Sequence, residues 1–248
     1  CADLGEFAQI RAGVTEVYDW IHGKLSNELV TKLTDLESLQ KEFSTLGFHE
    51  VMTQWLSLKQ RLVTNYIGRI RRAMDASGFK EKLLVPHAFP PPFHRLSGID
   101  YCEIGKFADH IAVKMYTMHW SMIARFYLDQ LAHSNPTIKE AALVQMVYSL
   151  LDISDSQGPE KIEDVKYPGP LDPHLPTTEV QRRKFAQAQQ EAGDTQVAAL
   201  VHGYGPVDEF AERFKLAYNA SGNFAWINRY CYLSDEKLRV LGRLTDAS

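Results

Sequence analysis

Two runs of the chain, ADHIAVKMYTMHW (108–120) and TQVAALVHGYG (195–205), restrict its fold more than any other feature. Each is a nearly unbroken apolar stretch rich in β-favouring residues, and each passes directly into a helical pattern. Strands that are apolar on both faces belong to parallel sheets covered by helices, because an alternating pattern would be expected if one face met water. Around these two runs the same alternation recurs. Residues 1–9 (CADLGEFAQ) read as a short first strand, KLLVPHAFPPPF (82–93) as a second that three prolines stop, and NFAWINRYCY (223–232) as a fifth. The five strands are expected near 2–8, 82–88, 110–117, 196–203 and 223–230.

Helical periodicity fills the intervals. Val17, Trp20, Ile21 and Leu25 recur at three- and four-residue spacing, as do Leu29, Leu33, Leu36 and Leu39. A further helix is expected over 49–76, with Gly78 as its C-terminal cap. Others are expected from the end of the third strand to about Leu131, and over 137–151, 178–192 and 206–220. A short last helix has Ser234 as its N-cap. Residues 152–177 carry five prolines and are too long for an ordinary connection, so they form a candidate functional loop.

The 248 residues, 45% of them hydrophobic, suffice for one sizeable core, and the whole chain reads as a single domain with 152–177 as its insertion loop. The net charge of −4 and the absence of a basic stripe argue against nucleic acid as a partner. No run approaches the ~18 apolar residues of a membrane span. Three widely spaced cysteines, Cys1, Cys102 and Cys231, offer neither a disulfide framework nor a zinc spacing. Because the chain opens on Cys1, the expectation is that an N-terminal segment has been removed or that the chain belongs to something longer.

A nucleotide-binding open sheet would carry a Gly-rich turn after its first strand, and neither GxGxxG nor GxxxxGK[ST] occurs. Instead each expected strand ends in polar or aromatic residues: Glu6, then His87, then Tyr116 with His119, then His202 with Tyr204, then Asn228 with Tyr230. One or two side chains from each strand end is how a (β/α)8 barrel assembles a site. The expected fold class is therefore α/β, a (β/α)8 TIM-type barrel.

The segment GIDYCEIGKFADHIAVKMYTMHW (98–120) resembles a stretch of glycoside-hydrolase-like barrels, including glycosidase-like and chitinase-like proteins, that leads onto their strand six. AALVHGYGPVDEFAERFKLAYNASGNFAWINRYCYLSDEKL (198–238) resembles their strands seven and eight. The resemblance makes the opening strand number four, so the barrel would be lacking or truncated before strand four. It implies a carbohydrate substrate and a catalytic acid at the end of strand four, the place that Glu6 occupies. Glycosidic cleavage needs a proton donor and usually a second carboxylate. Strand seven ends in HGYG without an acid, so a two-carboxylate retaining mechanism lacks its nucleophile. The Met115–Tyr116 pair resembles the chitinase-like arrangement, in which the substrate's N-acetyl group is the nucleophile and the tyrosine steadies it, but Thr117 stands where an acid is expected.

Glu6 and Tyr116 are thus the candidate catalytic residues. Strand parity sets Trp226, Asn228 and Tyr230 on one face, and Lys114 on the same face as Tyr116, where it would need a partner such as Glu6. Asp3 has the opposite parity to Glu6. Lys114, His87, His119, His202, Tyr204, Trp226, Asn228 and Tyr230 form the candidate binding set, since sugar rings stack on aromatic planes while their hydroxyls need polar neighbours. No HxH or HxxxH pair supports a metal site, and no cofactor motif is present. Two alternatives remain: a barrel of the same ancestry that binds sugar without cleaving it, and a metal-dependent hydrolase of another substrate.

Overall fold

The computed structural model describes residues 4–246, with the side chains of Leu4, Glu6 and Asp246 outside the described set. The fold is mixed α/β with a four-stranded parallel sheet. In chain order the helices α1 (Leu4–Ile21), α2 (Asn27–Lys32), α3 (Leu36–Thr45) and α4 (His49–Ala76) precede β1 (His87–Ala88). Short helices α5 (Phe93–Ser97) and α6 (Tyr101–Gly105) lead to β2 (Ile111–Met115). Then follow α7 (Thr117–Ser134), α8 (Glu140–Leu151) and α9 (Thr178–Ala192), β3 (Val197–His202), α10 (Val207–Ala220), β4 (Ala225–Asn228) and α11 (Asp235–Asp246).

The chain forms two compact units, one of residues 1–59 with 120–166, the other of residues 60–119 with 167–248. The first is helical. Trp20, Phe43 and Phe48 meet edge to face at centroid distances of 5.8–6.2 Å, and Ile21, Leu25, Leu29 and Val51 pack around them. Asn135 ties two of its segments, donating to Ile21 O at 2.9 Å and accepting from Leu25 N at 3.4 Å. The expected strand at 1–9 is corrected here: residues 4–9 belong to α1. The spacing Leu4, Phe7, Ile10, Val14, Val17, Ile21 carries the helical period back through them, and Ile10 and Val17 are buried along it. Glu6 therefore rides on a helix rather than at a strand end, its side chain outside the described residues, as is Asp3.

The second unit holds the sheet. Its strands lie in the order β1-β2-β3-β4, all parallel, without any reversal. The expected strand 82–88 shrinks to two residues, because Pro86 and the Pro90–Pro92 run remove ladder donors. Its pairing is nonetheless prolonged by Ala112 N donating to Pro86 O and Asp109 N to Leu84 O. The sheet face made by Ile111, Val113, Met115, Val197, Ala199 and Val201 is buried throughout, at 3% exposure or less. Helix α9 packs on β2 and β3, and α10 on β3. The opposite face carries, in register, Lys114 beside Leu200 beside Trp226, then His202 beside Asn228.

Helix ends follow their caps. After α4, Gly78 takes φ 82° and donates to Asp75 O while Phe79 donates to Met74 O, the paired bonds of a Schellman stop. Ser234 accepts from Lys237 N at the start of α11. Among the described residues no helix is long and apolar enough to cross a membrane.

Candidate functional site

Parallel strands deliver their carboxyl ends to one edge of the sheet, and the side chains just beyond that edge converge. His202, the last residue of β3, is the centre of a ring cage. Its imidazole lies 5.1 Å from the Tyr116 ring, 5.4 Å from Tyr232, 6.3 Å from His119 and 6.4 Å from Tyr204, centroid to centroid. Tyr116 follows β2 directly and makes an edge-on contact with His119, one turn into α7, at 5.6 Å. Tyr167 adds a further ring, 5.5 Å from Tyr204 and 6.0 Å from His119.

The loop at 167–177 belongs to this cluster. Tyr204 Oη donates to Pro168 O at 2.9 Å, and His174 N donates to Glu209 Oε2 at 3.1 Å. His174 lies 6.0 Å from Tyr204 in a stacked arrangement, with Nδ1 2.7 Å from Thr117 Oγ1. Its Nε2 is buried and has no hydrogen-bond partner.

The HGYGP turn that leaves β3 is held by two cations. Lys237 Nζ donates to Gly203 O and Gly205 O at 2.7 Å each and to Tyr232 O at 3.2 Å. Arg213 donates to Tyr204 O at 2.6 Å and pairs with Glu209 at 3.0 Å. Gly205 has φ 97°, and a Cβ there would stand 2.7 Å from His174 Nε2 and 3.1 Å from Arg213 Nη2. Gly205→Ala is therefore expected to destabilise the protein by at least about 1–3 kcal/mol from backbone strain alone. Urea unfolding measures this, and a variant as stable as the parent would contradict the packing described.

His87, His119, His174 and His202 are all pushed toward the uncharged form. Burial, helped by Arg213, His202 and Lys237, pushes His174 down to about 3. Burial, with His119 and three cations, pushes His202 down to about 4. His119 is lowered by burial and by Arg229 and Lys114, and His87 by burial and Lys114. His202 Nδ1 accepts from Tyr204 N at 3.1 Å, which assigns the proton of the neutral ring to Nε2. Burial raises the Tyr116 phenol, against the opposing pull of Asn228 and Arg229. At neutral pH the cage therefore offers neutral donors and acceptors interleaved with aromatic faces, a set suited to hydroxyls and apolar C–H faces.

Of the residues read from sequence, Tyr116, His119, His202 and Tyr204 meet in the cage. Lys114, Trp226 and Asn228 share its sheet face, and His87 stands 6.3 Å from Trp226. Tyr230 does not follow the expected parity. Strand β4 stops at Asn228, Arg229 turns to φ 65°, and Tyr230 stands 74% exposed in a short 3-10 turn. Tyr167, His174, Arg213, Arg229 and Lys237 were not legible as site residues, and Tyr232 was legible only as an aromatic near the end of the last expected strand. For the first two the only signal was the Pro-rich loop. Among the described residues no group of three His, Cys, Asp or Glu side chains could hold a metal ion. No protein-family model, curated protein or solved structure matches this chain.

Proposed function

We propose that the strand-end cage of the second unit binds a carbohydrate, and that its sheet is a consecutive part of a glycoside-hydrolase-like (β/α)8 barrel. The observation that carries the sugar reading is the cage itself: four rings around a neutral His202 whose Nε2 carries the ring proton. Tyrosine faces suit the C–H side of a sugar, and neutral imidazoles suit its hydroxyls. Two features support the barrel. Successive parallel strands with no reversal need crossovers that all turn the same way, and right-handed crossovers then lie on one face, as in a barrel. In a doubly wound sheet the order reverses at a switch point. Secondly, the polar side chains gather at the carboxyl ends of the strands. Hydrolysis is the activity that the sequence resemblance adds, with Tyr116 assisting at the strand ends; Glu6, the acid the resemblance implied, lies on α1 in the other unit and has no strand-end place in this cage.

Calorimetric titration with a panel of oligosaccharides tests the binding. Tyr232→Ala, which removes a part-exposed ring of the cage, is expected to weaken the bound glycan about tenfold, the loss of one stacking contact. Absence of glycan binding by the parent protein, or binding indifferent to both Tyr232→Ala and His202→Ala, would defeat the proposal. Released-sugar assays separate cleavage from binding: the parent protein is expected to release sugar, and binding without turnover would leave the non-cleaving reading in place of hydrolysis.

A further inference from the structure

Two cations beside the cage have no ion-pair partner among the described residues, and packing explains neither. Lys114 occupies the middle of the sheet, in register with Leu200, and is half-buried. An aliphatic residue would pack there, yet its ammonium has no hydrogen-bond acceptor among the described residues and lies 5.1 Å from the centroid of the Phe89 ring. Arg229 follows Asn228 at the end of β4 with φ 65° and ψ 81°, a conformation that glycine or asparagine adopts at lower cost. Its side chain is exposed, so no burial compensates for that backbone. Strain of this kind at a strand end beside a cluster of polar rings marks a position retained for what its side chain meets. The other two cations near the cage are already occupied, Lys237 by three carbonyls and Arg213 by Glu209 and Tyr204 O. Both Lys114 and Arg229 act on the His119 ring, so their fields overlap at the cage.

We infer that the ligand of this site is an acidic sugar, whose carboxylate or sulfate is received by Lys114 and Arg229 while its ring lies against the tyrosines of the cage. The inference rests on the carbohydrate reading above and adds the charge of the substrate. A guanidinium fork matches such oxyanions, and an ammonium without a partner supplies a second contact. The carboxylates beside the cage are engaged: Glu209 holds Arg213 and His174 N, and Asp172 accepts from Gly169 N at 2.9 Å. They leave the positive field at Lys114 and Arg229 uncancelled by a direct pair.

The experiment is a binding screen of the parent protein against matched neutral, uronic-acid, sialylated and sulfated oligosaccharides, repeated across sodium chloride concentrations. The bound members are expected to be acidic, and to weaken as salt rises. Arg229→Asn, whose side chain suits the left-handed backbone, and Lys114→Met, which keeps the volume, are each expected to lower acidic-glycan affinity about tenfold to a hundredfold. If neutral glycans bind as tightly as acidic ones, or if acidic binding ignores both salt and Arg229→Asn, the inference is overturned while the carbohydrate reading stands. If no glycan of any class binds, the carbohydrate reading itself fails, and this inference with it. Should Lys114→Met fail to fold, Arg229→Asn and the salt series still decide.

Discussion

Lys237→Met is expected to lower the unfolding free energy by about 2–5 kcal/mol, because it strips the donor from two buried carbonyls, Gly203 O and Gly205 O. The side chain is 6% exposed, and its ammonium bridges Gly203 O, Gly205 O and Tyr232 O. Methionine keeps most of the volume, so the change isolates the loss of the three bonds from the loss of packing. The turn that Lys237 clamps carries Tyr204 and is followed by α10, while Tyr232 belongs to the turn after β4. Loosening them should also reduce the near-ultraviolet dichroism of the tyrosine cage. Urea unfolding is the measurement, with the midpoint expected to fall at unchanged slope. A midpoint within error of the parent would mean that the carbonyls do not depend on Lys237.

Acid should destabilise the second unit well before its carboxylates protonate fully. The histidines at 174 and 202 titrate in the folded protein at about 3 and about 4, against an ordinary value of 6.5. A histidine whose value is depressed by folding binds more protons when unfolded, so stability rises with pH across the window between the two values. Its contribution is complete above about 6.5 and is lost as pH falls toward the folded value. Within that window each ring lowers stability progressively as pH falls, because its protonation is favoured in the unfolded chain. Both rings act together between about 6.5 and 4, and His174 acts alone from about 4 to 3. Stability measured by urea at a series of pH values should therefore fall steeply below 6.5. His202→Gln is expected to flatten the upper part of that slope and His174→Gln to flatten all of it. Identical slopes in the parent and both variants would show that neither ring is held uncharged by the fold.

The same pressure that depresses these rings suits them to a ligand. His202 must stay neutral to accept from Tyr204 N, and it then presents a proton at Nε2. Protonation would break that bond and add a charge among Lys237, Arg213 and Arg229. Sugar binding through the cage and stability of the turn are thus expected to decline together in acid.

The two apolar runs were legible because their pattern is local. Residues 111–115, apart from the half-buried Lys114, and 197–202 are buried, parallel and adjacent, as an apolar run followed by a helix requires. Once those strands pair, period-two alternation sets Lys114, Leu200, His202, Trp226 and Asn228 on one face, so most of the expected binding set could be read by counting. The helix bounds at 49–76 and 178–192 agree with α4 and α9, each a long segment with one apolar face.

Counting failed where a choice depended on neighbours distant in sequence. CADLGEFAQ alternates enough to pass for a strand, but continuity with the periodic residues after it made residues 4–9 helical. Tyr230 lost its parity because one left-handed residue, Arg229, ends the alternation. By itself the sequence determined the alternation of parallel strands with helices from residue 82 onward, and that Tyr116, His202 and Asn228 arrive at the strand ends, because hydrophobic period and strand parity are properties of short segments. Only the tertiary structure decided that Tyr167 and His174 return from a proline-rich loop to those ends, that Lys237 and Arg213 hold the turn carrying Tyr204, and that Lys114 and Arg229 have no ion-pair partner among the described residues. Those placements depend on which buried carbonyl or ring needs a partner once the sheet exists, and no local pattern encodes that.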